Sequence, residues 1–313
     1  MALPSGSFTG TGDISNLVKT AYDQYVRMAL RSIPVMRSLA DVKPVQQAMP
    51  GSSVVFSIYS DLAAATSTLT ETTDVSSIAL GNPSQVTVTL NEYGSAVTTT
   101  KKLNLTSFND VDAALADIIA YNAADSIDSV VASVLTGGSN VLYAGNATST
   151  NTIDSADLLT VADIRQAVTE LRTNKALPRL GELYAAYLHP RQAADLRSES
   201  GTGGFQDIVK YTDNVSKTII PGAVGVIEGA FVVETPRVPF AANTNSPAVN
   251  VYKAVIAGRE ALAEAMGQDI NTVIGPEIDA LRRFRTIGWY YFGGFARLRE
   301  AALYRIESAA TNG

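Results

Sequence analysis

Apolar and polar positions along this chain change period several times, and each change marks an element. Residues 1–12 are rich in Gly, Ser and Thr and read as an arm. From Asp13, a natural N-cap, Ile14, Leu17, Val18, Ala21, Tyr25, Met28 and Ala29 recur at helical spacing until Pro34 ends or kinks the run. The period drops to two in 53–60 (SVVFSIYS) and in 85–91 (QVTVTLN), where Val86, Val88 and Leu90 share one face. Between these strands, 60–84 is mostly Ser, Thr and Ala and as a whole follows neither period. A connection of that length is uncommon inside a compact domain and usually signals function or disorder. A long two-stranded arm, lying on a neighbouring molecule, satisfies both the flanking strands and the polar middle. An isolated hairpin is marginally stable in water, so such an arm needs a partner. The plain alternative is an unstructured surface insertion.

After the arm, Glu92-Tyr93-Gly94 is expected to close it and 95–105 to continue as a Thr-rich strand. Asp110 then opens the longest predicted helix, 111–135, with an apolar stripe of Leu115, Ile118, Ile119, Ile127, Val130, Val131 and Val134. Roughly 25 residues at 1.5 Å each make a rod of nearly 40 Å. Gly137-Gly138 stops it. An amphipathic helix is predicted over 154–175, and a buried strand over 183–188 (LYAAYL) that leads through His189-Pro190 into a helix at 192–197. Gly201 to Gly204 marks a loop. Short strands follow in 222–240, then a turn-rich insert, a strand at 249–256 and a short helix at 259–266. The last block, 279–307, alternates as strands through Gly288 and Gly293-Gly294. The fold class is α+β, with no internal repeat and no composition break that marks a domain boundary.

Charge changes this picture in one place. Of 313 residues, 46% are hydrophobic and only 17% charged, below the usual quarter. A large chain with so little charge is expected to cover much of its surface with partners. The net charge of -6 argues against broad binding to nucleic acid, which needs a basic stripe. Yet 44–100 holds no Lys or Arg at all, while Lys19, Arg27, Arg31, Arg37 and Lys43 precede it and Arg282, Arg283, Arg285, Arg297, Arg299 and Arg305 crowd the end. The absence of cysteine excludes disulfides, thiolate catalysis and Cys-ligated zinc. The N-terminus lacks the pattern of a signal peptide, and no run approaches the ~18 apolar residues of a spanning segment. A soluble chain that folds inside the cell, with no membrane partner, is expected.

Candidate chemistry is sparse, and an enzyme is not expected. His189, the one histidine, reads as a strand-end residue bonding nearby backbone. No phosphate-binding or nucleophile-elbow glycine pattern exists, and no metal or cofactor set is apparent. Asp110 with Asp112 sits at a helix start, where the macrodipole favours acids. Asp125 with Asp128 reads as one solvated helix face. The single Trp289 lies in an aromatic strand and reads as core. Arg282, Arg283 and Arg285 fit inter-subunit ion pairs better than nucleic acid, because no aromatics interleave for base stacking.

The order of arm, extended hairpin, long helix, α+β body and late Gly/aromatic strands resembles the tailed-bacteriophage major capsid proteins of the Hong Kong 97 fold. More narrowly, it is similar to the coliphage N-four type. The resemblance rests on 51–59 (GSSVVFSIY), Leu69-Thr70-Glu71, 86–99 (VTVTLNEYGSAVTT), the helix 108–135 and the closing 286–296 (TIGWYYFGGFA), and spans about 13–307. It implies an N-terminal arm at 1–50 and an extended loop at 51–103. A peripheral domain follows at 104–221, with its spine helix at 110–136, then a mainly axial domain at 222–275 and returning strands at 276–313.

The implied function is self-assembly, in hexamers and pentamers, into an icosahedral head shell around double-stranded DNA. The DNA would touch the inner face non-specifically, with portal, scaffold and decoration proteins as further partners, in a virion assembled in the host cytoplasm. Expected inter-subunit contacts are Asp61, Leu69, Glu71, Asp74, Arg27, Arg31, Arg282, Arg283 and Arg285. Some members of this fold crosslink through a lysine of the extended loop; this loop has none before Lys101 and Lys102 at its very end, so non-covalent overlap is implied. An encapsulin-like nanocompartment subunit shares the fold and is the alternative. A glycan-active or glycan-binding protein is a third reading, which the lone Trp argues against.

Overall fold

Two sheets and one long helix organise the chain, seen in a computed structural model that describes residues 35–44, 52–59, 61–72, 74–75, 77–106, 111–199, 223–244, 248–277 and 279–311. The predicted helix from Asp13, the Gly/Ser/Thr-rich 1–12 and the Gly201–Gly204 loop lie outside these residues.

The chain enters through a 3-10 turn, Met36–Leu39, and β1 (Ala40–Pro44), which pairs in parallel with β11 (Leu262–Ile274). β2 (Ser53–Ile58) and β3 (Ser84–Thr89) form a separate antiparallel pair. β4 (Asn91–Thr100) joins β12 (Phe284–Arg297), so one sheet runs β1-β11-β12-β4. Only the base of the expected arm is therefore paired: 61–83 holds no strand among the described residues. Glu92, Tyr93 and Gly94 do not close the arm but belong to β4, because β12 supplies a ladder partner along its whole length. β4 also ends earlier than expected. The Thr100 hydroxyl accepts the Leu103 N–H at 3.2 Å and starts α1 (Lys101–Thr106), a cap that turns strand into helix.

The long predicted helix is α2 (Val111–Thr136). Ile119, Ala123, Ile127, Val131 and Leu135 form its buried line, one every four residues. Its first half packs on Ile287, Trp289 and Tyr291 of the four-stranded sheet. Val131, Ala132 and Leu135 join Tyr187, Phe231, Val255 and Leu303 of the larger sheet. One helix thus ties two cores together. Ile118, expected on the stripe, is instead 46% exposed. Length and hydropathy alone would let Asp117–Thr136 cross a membrane, contrary to the expectation that no run comes close; here its apolar line is used by the sheets. Gly137-Gly138 ends it, and Arg297 donates to the Val134 carbonyl at 2.9 Å while Arg305 donates to that of Thr136. Two of the C-terminal arginines thus satisfy the orphan carbonyls at the negative end of the helix dipole.

The larger sheet is ordered β5 (Val141–Tyr143), β13 (Leu303–Ser308), β10 (Asn250–Ala257), β6 (Tyr184–Leu188), β8 (Ala230–Glu234) and β7 (Ala223–Ile227), with β9 (Phe240–Ala242) on β10. The helix expected over 154–175 is shorter, α3 (Val161–Thr173), because Asp154 and Asp157 accept local backbone N–H groups and hold a turn, and Thr160 with Asp163 forms the capping box. α4 (Pro190–Ser198) follows β6 as expected. The helix expected at 259–266 is wrong: Leu262 to Met266 are strand. β1 pairs on one side and β12 on the other, and the two ladders override the helix propensity of the Ala/Glu-rich stretch.

Candidate assembly surface

Val54, Phe56, Val88 and Leu90 pack on Ala263, Ala265, Phe292 and Ala296, so the base of the β2–β3 pair is rooted in the four-stranded sheet. The approach is close enough that a Cβ on Gly294 would overlap the Thr89 carbonyl. Beyond this root the connection turns to water. Every described residue from Asp61 to Gly81 is exposed, including Leu62 at 59%, Leu69 at 77% and Ile78 at 72%. Burying one such side chain is worth about 1.5–3 kcal/mol, so this is a strip of unspent apolar surface. Among the described residues Asp61 and Glu71 make no ion pair, and Asp74 accepts the N–H of Val75.

A second group gathers where β12 begins. Lys101 donates its backbone N–H to the Arg283 carbonyl at 2.8 Å, which sets α1 beside the 279–283 turn. Lys101, Arg282, Arg283 and Arg285 line a small hollow of about 100 Å³ with Thr99 and Glu277. Arg283 pairs with Asp279 at 2.6 Å and lies over the Phe284 ring. Leu105 and Leu281 are 78% and 72% exposed nearby in the chain. The expected arginines therefore come together, and Lys101, which the sequence did not single out, joins them. Arg27 and Arg31 lie outside the described residues.

Behind these surfaces the strap 35–44 is locked by buried carboxylates. Asp128 is 1% exposed and accepts the N–H groups of Val35, Met36 and Arg37 at 3.3, 2.7 and 3.0 Å. The expected solvated face shared with Asp125 is wrong, because Asp128 is buried under the strap; Arg237 spans the two, 2.5 Å from Asp125 and 3.9 Å from Asp128. Burial pushes the Asp128 carboxyl up, against the pull of the three N–H groups and Arg237. Glu264, fully buried, accepts from Arg37 at 2.7 Å and from the Tyr291 hydroxyl at 2.9 Å. Burial and then the Glu264 charge raise the Tyr291 phenol; burial opposes the Arg37 charge, but Glu264 and Asp269 outweigh it. No periodicity signals either lock, because each joins residues far apart in sequence.

The other candidates are structural. His189 caps α4, its Nδ1 accepting the Arg191 N–H at 3.2 Å. Trp289 is 5% exposed and donates to Asn122 at 2.9 Å. Among the described residues no cluster of His, Asp or Glu could hold a metal ion.

Comparison with known proteins gives one family and one fold. The family model described as "Phage capsid protein" matches residues 9–311. Among solved structures, the capsid of Ralstonia phage GP4 is similar with a TM-score of 0.75 at 16% identity, covering 98% of each chain. The capsid of the Helicobacter pylori bacteriophage KHP30 gives 0.70 at 15%, covering 98% of this chain and 100% of that one. The capsid of Cyanophage P-SCSP1u gives 0.69 at 16%, covering 98% and 97%. No curated protein sequence matches.

Proposed function

From the premise that the chain belongs to the phage capsid protein family and has the Hong Kong 97 fold, we propose that it builds the shell as the repeated subunit, in rings of five and six around double-stranded DNA. The observation that carries the overlap model is the exposed apolar strip of 61–80 rooted in a rigid sheet. Many weak contacts, multiplied around a closed lattice, then supply the affinity that one contact lacks. On this reading 1–50 is the N-terminal arm and 51–103 the extended loop. The peripheral domain is 104–221, the mainly axial part is 222–275, and 276–313 returns as strands to the peripheral domain. Asp61, Leu69, Glu71 and Asp74 meet neighbours, as do Arg282, Arg283 and Arg285; Arg27 and Arg31 belong to the same proposal.

The shell is assembled in the host cytoplasm and carried in the virion, with portal and scaffold or decoration proteins as further partners. The narrower coliphage N-four type rests on the sequence blocks quoted above. The family match favours the viral shell over a nanocompartment. No chemistry is assigned to the chain. Electron microscopy of the purified chain tests the proposal: uniform icosahedral particles are expected, and stable monomers at high concentration would refute it.

A further inference from the structure

β4 is the outermost strand of the four-stranded sheet, and its second edge has no strand partner among the described residues. Eight of its ten residues are exposed. Natural sheets blunt such an edge with Lys, Pro, a bulge or a covering element. From Tyr93 to Thr100 there is no charge and no proline, and the register with β12 is unbroken. An edge left this open is a template for another strand.

Two further features sit beside it. A groove of about 370 Å³ crosses the sheet face from β4 over β12 to the end of β11, lined by Gly94, Ala96, Val273, Gly288 and Tyr290 among others. It exists because Gly94 and Gly288 carry no side chain; a Cβ on Gly94 would come within 2.8 Å of the Trp289 carbonyl oxygen. At the Thr100 end stand Lys101, Arg282, Arg283 and Arg285 around their hollow, with Glu277 among them.

The chain also carries a segment that fits. Although 60–84 has no period as a whole, 66–72 reads Thr-Ser-Thr-Leu-Thr-Glu-Thr. Thr66, Thr68, Thr70 and Thr72 alternate with Ser67, Leu69 and Glu71, a strand pattern of β-branched residues. It is exposed throughout and has no ladder. Seven residues at ~3.3 Å each reach about 23 Å, the span of Gly94 to Thr100.

We propose that residues 66–72 of a second copy add to the open edge of β4 as a further strand. Backbone pairing supplies the affinity and the alternate side chains supply the register. Ser67, Leu69 and Glu71 share one face. If the added strand runs parallel to β4 with Leu69 over the apolar groove, Glu71 lies two residues further along, towards the cationic end, and this is the direction proposed. The charges agree: 61–72 carries Asp61 and Glu71 and no basic residue, against a cluster at the Thr100 end whose four cations outnumber Glu277 and Asp279. This rests on the shell reading and adds to it the receiving surface and the mode of contact.

Hydrogen exchange of the full chain, free and in shells, tests it. Alternate amides of 94–100 and of 66–72 should slow at least 100-fold in shells. Thr68→Pro with Thr70→Pro removes two donors from an exposed segment, so the subunit should fold normally and shell yield should fall at least tenfold. Ala96→Lys should do the same from the receiving side. A chain that never forms particles overturns the shell reading and this contact together. Particles in which the β4 amides exchange as fast as in the free subunit overturn the added strand alone, and so does undiminished assembly of the double proline variant.

Discussion

Glu264 and Asp128 show how buried carboxylates can be both necessary and costly. Each accepts several hydrogen bonds from the strap, so removing the acceptor strands its donors, while keeping a neutral acceptor does not. Asp128→Ala leaves the N–H groups of Val35, Met36 and Arg37 without their partner and is expected to cost roughly 2–4 kcal/mol in urea unfolding. Asp128→Asn keeps an oxygen there and drops a charge that burial already disfavours, so its cost should stay within about 1 kcal/mol. Equal losses in the two variants would show that the charge, not the acceptor, holds the strap.

Tyr291→Phe removes one donor to Glu264 and should cost about 1 kcal/mol, whereas Glu264→Ala leaves Tyr291 unmatched and Arg37 with Asp269 alone and should cost about 3 kcal/mol. A double-mutant cycle on the pair measures the coupling.

His189, the sole histidine, allows a pH prediction free of overlap. Burial first, and Arg191 second, hold its imidazole below the ordinary 6.5. A lowered folded value means that its contribution to stability is present above 6.5 and lost as pH falls through the folded value. The single imidazole signal of the free subunit should titrate with a midpoint below 6.5, and His189→Gln should remove that part of the pH dependence. A midpoint at or above 6.5 would contradict the cause given.

At the scale of elements, the root of the extended hairpin depends on one missing side chain. A Cβ at Gly294 meets the backbone of β3, which cannot rotate away, so Gly294→Ala is expected to cost about 1–3 kcal/mol and to free the β2–β3 pair. Gly81→Ala, with nothing within 4 Å of its added Cβ, should change stability by less than about 0.5 kcal/mol. Urea unfolding and exchange of the β3 amides compare the two.

Elements with a local signal were legible. The run of apolar residues before Gly137-Gly138 announced α2, and the unbroken apolar run of 183–188 announced β6. Those decided by distant partners were not. Leu262 to Met266 looks helical until β1 and β12 are placed on either side, and Asp128 looks solvated until residues some ninety positions earlier fold onto it. The assembly surface divides in the same way. Leu69 and Glu71 stood out through the family resemblance, while Lys101 joined the arginines only when β4 and β12 paired.

For the whole molecule, the charge distribution acquires a purpose that no single residue has. The stretch 44–100 keeps every cation out of the extended loop up to Lys101, and several of the basic residues at its end and near the C-terminus serve two tasks. Arg297 and Arg305 close the C-terminal end of α2, whereas Arg282, Arg283 and Lys101 remain on the surface. If loop and cluster meet in neighbouring subunits, assembly must respond to salt in a particular way. Surface attraction is screened within about 8–10 Å near physiological ionic strength, while apolar burial is not weakened by it. Raising sodium chloride from about 0.05 to 0.5 M should therefore slow shell formation while leaving the subunit's own unfolding midpoint nearly unchanged. Deleting 61–84 separates the contributions: the shortened chain should stay folded, because its core residues lie elsewhere, yet form no shells at either salt concentration. Reversing the cluster with Arg282→Glu and Arg283→Glu should lower the yield of particles and remove most of the salt dependence, since the apolar strip around Leu69 remains to be buried. Light scattering of the three chains across the salt series reads all of this. Normal particles from the deleted chain would mean that the shell is held by surfaces other than the loop.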